Sequence, residues 1–378
     1  KNRVRWVAFS STAPGVLNER GDAPLTSLYA MSLEPIAKRG TVLWRTTYSL
    51  GGDSSPTLLS DGRVLFSSWQ RGAFTLMAIS WAGENLNAFY GSHDKGTSQT
   101  AACELPNRNV VFVEHEGLSA DGAGRLALVS LRRPLHSHKV LDEGRGLYRT
   151  PHRFSEGRML VSYSGDSGSY GVYLFDLETG RHDVVLYDDP AWHDVDAFLL
   201  APRPEASGRI PTVEFASVLD VGALKTVGQL QCMNVYESDR PEAVDIRAGQ
   251  VKRVRLTQGV PVPLSDADSG ARAGCGHAEA LPDSVWPPPC VELRVLGEAP
   301  VEEDGSFYVN VSGDVPFYVE TLDADGRALQ TMRAWTWVRA GDQRGCIGCH
   351  ENKELAPENR ATQALIRARP LLLTGSGE

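Results

Sequence analysis

Hydrophobic positions along this chain fall into short runs bounded by polar turns, the spacing of strands rather than of amphipathic helices. A turn that launches an apolar strand recurs through the first half. Its instances are Lys1-Asn2-Arg3-Val4-Arg5-Trp6, Asp61-Gly62-Arg63-Val64-Leu65-Phe66, Asn107-Arg108-Asn109-Val110-Val111-Phe112 and Glu156-Gly157-Arg158-Met159-Leu160-Val161. The step is 46 positions from Asp61 to Asn107 and 49 from Asn107 to Glu156; from Asn2 to Asp61 it is 59, which a loop inserted near residues 12–26 explains. A second strand follows each time, as in Leu28–Leu33, Leu76–Ser80, Leu126–Leu131 and Val172–Leu177. A period in the forties with several short strands per unit predicts β-propeller blades of the TolB/WD40-like kind. Four copies and a degenerate fifth around residues 190–219 are expected, one short of a closed ring.

The rhythm changes near residue 220. Strands are predicted at Leu230–Tyr236, Val251–Leu256, Val291–Leu296, Ser306–Val311 and Pro316–Leu322, with Asp304-Gly305 and Asp325-Gly326 as tight turns. The expected organisation is a mainly β protein: propeller blades over 1–219, a small β-domain over 220–340, and a c-type haem-binding segment over 341–378. That last segment includes a short helix between Asn359 and Arg367, stopped by Pro370.

Charge and composition narrow the function. The 378 residues carry 38 Lys+Arg against 47 Asp+Glu, a net charge of −9, which argues against nucleic acid as partner. No apolar run is long enough for a membrane-spanning helix. The 37 Gly and 22 Pro suit a turn-rich β fold. The chain opens in a strand-like segment, so the expectation is that a leader and upstream sequence were removed, or that this is one part of a longer product.

The chemistry gathers in Cys346-Ile347-Gly348-Cys349-His350. C-x-x-C-H is the c-type haem signature: two thiols add to neighbouring vinyl groups, and the adjacent imidazole reaches the iron between them. A thioredoxin-like redox pair would need a βαβ context, and a zinc site a second Cys/His pair at similar spacing; neither is found. One haem c attached through Cys346 and Cys349, with His350 as the proximal metal ligand, is therefore expected. Met332 is a candidate for the second axial position. Haem attachment follows export, so a periplasmic or extracellular location is expected. Of the other cysteines, Cys275 and Cys290 flank a proline-rich polar loop and are a candidate disulfide, while Cys103 and Cys232 read as buried thiols. Among the remaining histidines, His115 and His152 stand beside propeller strands and are the candidates for a pocket.

The stretch Val295–Pro357 resembles the haem-bearing region of the hydrazine synthase alpha subunit family. The matching text is Val301-Glu302-Glu303-Asp304-Gly305-Ser306-Phe307, then Leu322–Arg333, then Arg344-Gly345-Cys346-Ile347-Gly348-Cys349-His350-Glu351-Asn352-Lys353. Asp61–Phe66, Phe89–Ser92, Leu160–Tyr163 and Asp196–Pro204 look similar too. The resemblance implies an exported propeller followed by a haem-binding region, often with a further cytochrome domain downstream, which is expected to be absent from a chain ending at Glu378. In hydrazine synthase a tyrosine after the motif ligates iron and the motif histidine turns to a zinc ion. Here no tyrosine lies beyond Tyr318, and the fourth residue after His350 is Glu354. This departure makes ordinary His350 ligation the expectation and speaks against N–N bond formation. Cys103 loosely matches a zinc-binding thiolate of the family, which brings in zinc as a second metal.

The expected function is an exported cytochrome that passes electrons to a redox partner protein or a further haem subunit, its potential set by burial, ligand and charge. The alternative is a haem enzyme with an open iron face, acting on a small nitrogen or oxygen species with acid–base help from His115, Glu114 or Glu354. A third reading makes the propeller an interaction module.

Overall fold

The computed structural model describes residues 5–36, 40–70, 72–91, 96–116, 122–142, 147–165, 168–207, 226–240, 243, 245–266, 290–350, 356–367 and 369–374. The chain divides into two compact units. The first comprises Lys1–Ala13, Thr26–Thr47 and Gly52–Ile210; the second comprises Pro14–Leu25, Tyr48–Gly51 and Pro211–Glu378.

The first unit is a run of four antiparallel blades, each meandering in chain order. They are β1 (Trp6–Ser11), β2 (Ser27–Ser32) and β3 (Leu43–Arg45); β4 (Asp53–Leu58), β5 (Arg63–Gln70), β6 (Ala73–Ser80) and β7 (Asn87–Tyr90); β8 (Thr97–Glu104), β9 (Asn109–Glu116), β10 (Arg125–Ser130) and β11 (Lys139–Val140); β12 (Leu147–Arg153), β13 (Arg158–Ser164), β14 (Gly171–Asp176) and β15 (Arg181–Tyr187). The recurring apolar strands of the sequence are β1, β5, β9 and β13. From Val64 to Trp69 in β5 every side chain is buried, Ser67 and Ser68 included, because a mid-blade strand packs on both faces. The polar turns have a physical role. Asp61 Oδ1 accepts the backbone N–H of Arg63 at 3.1 Å, and Asn107 Oδ1 that of Asn109 at 3.1 Å, side-chain turns that start the strand.

Apolar side chains of successive blades meet in shared cores. Leu65, Leu76 and Phe89 of the second blade pack with Phe112, Ala127 and Val129 of the third; Val111, Val113 and Leu126 pack with Tyr148, Met159 and Phe175 of the fourth. The first strands of blades two to four share a bend. Register shifts fall between Ser54 and Thr57, Thr100 and Cys103, and Arg149 and His152. Each bend holds a non-glycine residue in the left-handed region, Ser55 (φ 52°), Ala101 (φ 51°) and Thr150 (φ 42°), at the same 46- and 49-residue steps as the repeat. The degenerate fifth blade is not found in residues 188–207, which carry no strand; 208–219 lie outside the described residues.

The second unit contains two sheets. One has the order β19-β16-β22, with β16 (Val227–Cys232) between β19 (Phe307–Ser312) and β22 (Gln343–Cys346). The other has the order β18-β17-β20-β21, from β17 (Arg253–Pro261), β18 (Val291–Pro300), β20 (Phe317–Leu322) and β21 (Ala328–Thr331). Their inner faces share one core, in which Leu230, Phe307 and Val309 of the first sheet meet Val254, Leu256 and Phe317 of the second, the arrangement of a sandwich. A satellite core joins Leu25 and Leu50 to Val291, Tyr318 and Trp335, and Trp335 Nε1–H donates to Glu19 Oε2 at 2.6 Å. Gly259 is forced by this packing, since a Cβ there would lie 2.6 Å from both Leu50 and Trp335. The predicted C-terminal helix is one turn, α1 (Gln363–Ile366), whose first N–H groups donate to Asp304 Oδ2 and Ser306 Oγ.

Candidate functional site

The cysteine–histidine motif begins at the end of β22 and continues as a bend. β22 is a short strand with little apolar pattern, held in place by pairing in parallel with β16, so that Cys232 and Cys346 are register partners. Beyond that rung the pairing goes on without regular strand. Met233 N–H donates to Cys346 O (3.0 Å), Asn234 N–H to Ile347 O (3.1 Å), Cys349 N–H to Glu237 O (2.9 Å) and Asp239 N–H to His350 O (3.0 Å). Residues 233–239 thus line the motif along its whole length. The approach is closest at Gly348, where an added Cβ would lie 2.2 Å from Glu237 O. Arg360 ties in the C-terminal segment, its Nη2 donating to Met233 O (3.4 Å) and Asp304 O (3.3 Å).

Cys346 and Cys349 are outside any disulfide and half-buried at the margin of the sandwich core. Cys232, buried beside them, is likewise outside any disulfide and directs its Sγ toward Ile347 O at 3.9 Å. Arg344, two residues before Cys346, donates to Trp337 O, and burial pulls its guanidinium below the usual range. His350 has φ 106°, a left-handed conformation rare for a side chain of this kind. Its ring is held on both nitrogens, Nδ1 against Asp239 Oδ1 at 2.6 Å and Nε2 against Arg240 Nη2 at 2.7 Å. A guanidinium can only donate, so Nε2 accepts and Nδ1 carries the hydrogen given to the carboxylate.

The other residues singled out in the sequence sit apart from this cluster. Met332 follows β21, is exposed, and donates its N–H to Val319 O. His115 lies in β9 of the first unit, half-buried, beside the buried Glu114; Glu114 binds Arg125 and, through Oε1, His138 at 3.3 Å. His152 in β12 rests its ring edge on Phe198, and burial holds its imidazole below the usual range. The thiol of Cys103 is buried in the core between the third and fourth blades and pushed up by that burial. Glu354 lies outside the described residues. So does Cys275, although Cys290 is disulfide-bonded. Among the described residues no three His, Cys, Asp or Glu side chains gather as a metal-binding group. None of their helices is long and apolar enough to cross a membrane.

Asp239 and Arg240 have no signature in the sequence. They stand in a polar loop more than a hundred positions from His350, and only the pairing of residues 233–239 with the motif brings them to it.

Propeller blades joined to a β-sandwich that ends in a C-x-x-C-H bend define a propeller protein with a cysteine–histidine site. Within that class the matches converge. The family described as hydrazine synthase alpha subunit middle domain matches residues 249–351. Hydrazine synthase subunit alpha of Kuenenia stuttgartiensis is 28% identical over 405 aligned positions, covering 92% of this chain and 49% of the relative. The structure of Kuenenia stuttgartiensis hydrazine synthase superposes with a TM-score of 0.76 at 25% identity, covering 96% of this chain and 54% of that one. The chain is thus similar to the hydrazine synthase alpha subunit in sequence and in fold, and it spans about half the length of the relative it matches.

Proposed function

We propose that this chain is an exported c-type cytochrome of the hydrazine synthase alpha-like kind, with one haem attached covalently at the motif and used for electron transfer. The observation that carries the reading is the motif's state: two cysteines three positions apart, outside any disulfide, at the edge of a core, followed by an imidazole whose Nδ1 is held by Asp239 and whose Nε2 lone pair is turned to the Arg240 guanidinium. These residues fit a haem c. Cys346 and Cys349 would hold the vinyl carbons as thioethers and His350 Nε2 the iron. Haem bound there supplies a one-electron redox centre. The chain supplies the rest: the backbone of 233–239 fixes the spacing of the motif, and the sandwich core shields one side of it from water. Export follows from the chemistry of attachment, and the electron partner is a redox protein or a further haem subunit.

Co-expression with c-type maturation machinery tests this. The expected product carries the mass of one haem, lost in Cys346→Ala/Cys349→Ala, and gives a low-spin spectrum with a ferrous form inert to carbon monoxide. A high-spin spectrum that changes with nitric oxide, carbon monoxide or peroxide would replace electron transfer by the haem-enzyme reading. A mature chain with no added haem overturns both.

A further inference from the structure

We infer that Asp239 and Arg240 form a two-sided clamp on His350: Asp239 selects the ring tautomer and strengthens the imidazole as a ligand, while Arg240 holds the iron-facing nitrogen until ligation displaces it. The role of the clamp toward iron rests on the haem reading; its existence does not.

Three contacts made by two adjacent residues converge on one histidine. Asp239 N–H binds His350 O, Asp239 Oδ1 accepts from Nδ1, and Arg240 Nη2 donates to Nε2. Together they secure a residue at φ 106°, a strained conformation that persists only where surroundings over-determine it. The ion pair alone would not do this, because the side chains of Asp239 and His350 are each 44% exposed and water competes for them. Backbone pairing along residues 233–239 supplies the missing order by placing Asp239 opposite His350 whatever its side chain does.

The chemical consequence lies in which nitrogen is left as a donor. A free neutral imidazole interconverts between two tautomers, and the one protonated at Nε2 cannot bind a metal through that atom. A carboxylate at Nδ1 favours the other, turning the Nε2 lone pair outward, and raises the electron density the ring donates to a metal. The guanidinium then lies where a second cation would, so Nε2 is held in place by a group that can swing aside without breaking a covalent bond. Asp239 and Arg240 are positioning residues, acting through His350.

The first measurement needs no haem. Long-range ¹⁵N–¹H correlation spectra of the full-length haem-free chain should show His350 protonated at Nδ1, shifting toward the Nε2-protonated form in Asp239→Ala. Arg240→Gln, in which the carboxylate remains, should keep the Nδ1-protonated form. In the haem-loaded chain, Asp239→Ala should raise the midpoint potential while haem content stays at the wild-type level. Asp239→Asn, which keeps an acceptor but loses the charge, should raise it by less. An Nε2-protonated His350 in the wild-type chain overturns the clamp. A potential identical in wild type and Asp239→Ala overturns its ligand-strengthening role. If no haem attaches to the wild-type chain, the haem reading and the ligand-tuning role fail, and the spectra of the haem-free chain still decide the clamp.

Discussion

The two units build order from strands in opposite ways. In the propeller blades each strand pairs with its neighbour in sequence, and packing repeats from blade to blade. In the second unit the order β19-β16-β22 brings together segments more than a hundred positions apart, and the cysteine–histidine motif sits on the parallel edge so formed. A blade is a local solution that tolerates variation in its neighbours. The motif has no such independence. It exists as a site only when residues 227–239 and 343–350 have met, so its geometry should depend on the whole sandwich core.

That contrast can be broken most forcefully in the cores. Phe317 and Phe112 are both fully buried, one in the sandwich and one between blades. Either change to Ala should cost about 3–5 kcal/mol, read as a drop in the chemical-denaturation midpoint. Only Phe317→Ala should also lower haem attachment, measured as the haem-loaded fraction by mass spectrometry. Equal losses of haem in both variants would count against the motif's dependence on the sandwich.

Next comes a buried acid in the blades. Asp53 is fully buried, and burial pushes its carboxyl up to about 6 against hydrogen bonds from Ser68 and Thr47 and the charge of Arg45. The folded state therefore holds the proton more tightly than the unfolded chain. Its contribution to stability is complete below about pH 4 and is lost as pH rises through about 6, a swing on the order of 2–3 kcal/mol. Asp53→Asn should flatten that part of the stability–pH curve and raise the melting temperature at pH 7 relative to wild type. A curve unchanged between pH 4 and 7 would show that the acid titrates as in water.

Gly348→Ala should act on the motif alone. The required retreat from Glu237 O costs about 1–3 kcal/mol and should reduce haem attachment while leaving the blades' melting unchanged in differential scanning calorimetry. The smallest effect is expected from Arg5→Ala. Its side chain is 76% exposed, and losing the ion pair with Glu34 should leave the melting temperature unchanged within the error of the same calorimetry.

Strands with apolar runs were legible in the sequence because burial on both faces writes itself into composition, as in β5, β9 and β13. The five sandwich strands expected after residue 220 are likewise present, at slightly shifted bounds. β21 and β22 were not legible. Gln343-Arg344-Gly345-Cys346 has no apolar alternation, and its strand form comes from backbone pairing with β16. The part of the expected fifth blade within the described residues, 188–207, carries no strand, and Pro190, Pro202 and Pro204 remove N–H groups from that stretch. The helix expected over 359–367 shrank to one turn, with Ala364 its buried anchor. At the site, Cys346, Cys349 and His350 announce themselves by spacing. Asp239 and Arg240 do not, because the register that brings them to His350 is set by strands far from both.

The close approach of Glu237 O to Gly348 has a use beyond this chain. Wherever a related sequence folds its 233–239 equivalent along the motif, the second variable position has no room for a side chain. The pattern then reads C-x-G-C-H, and that one added letter separates sequences that share this cradle from the many that carry the bare motif on a different backbone.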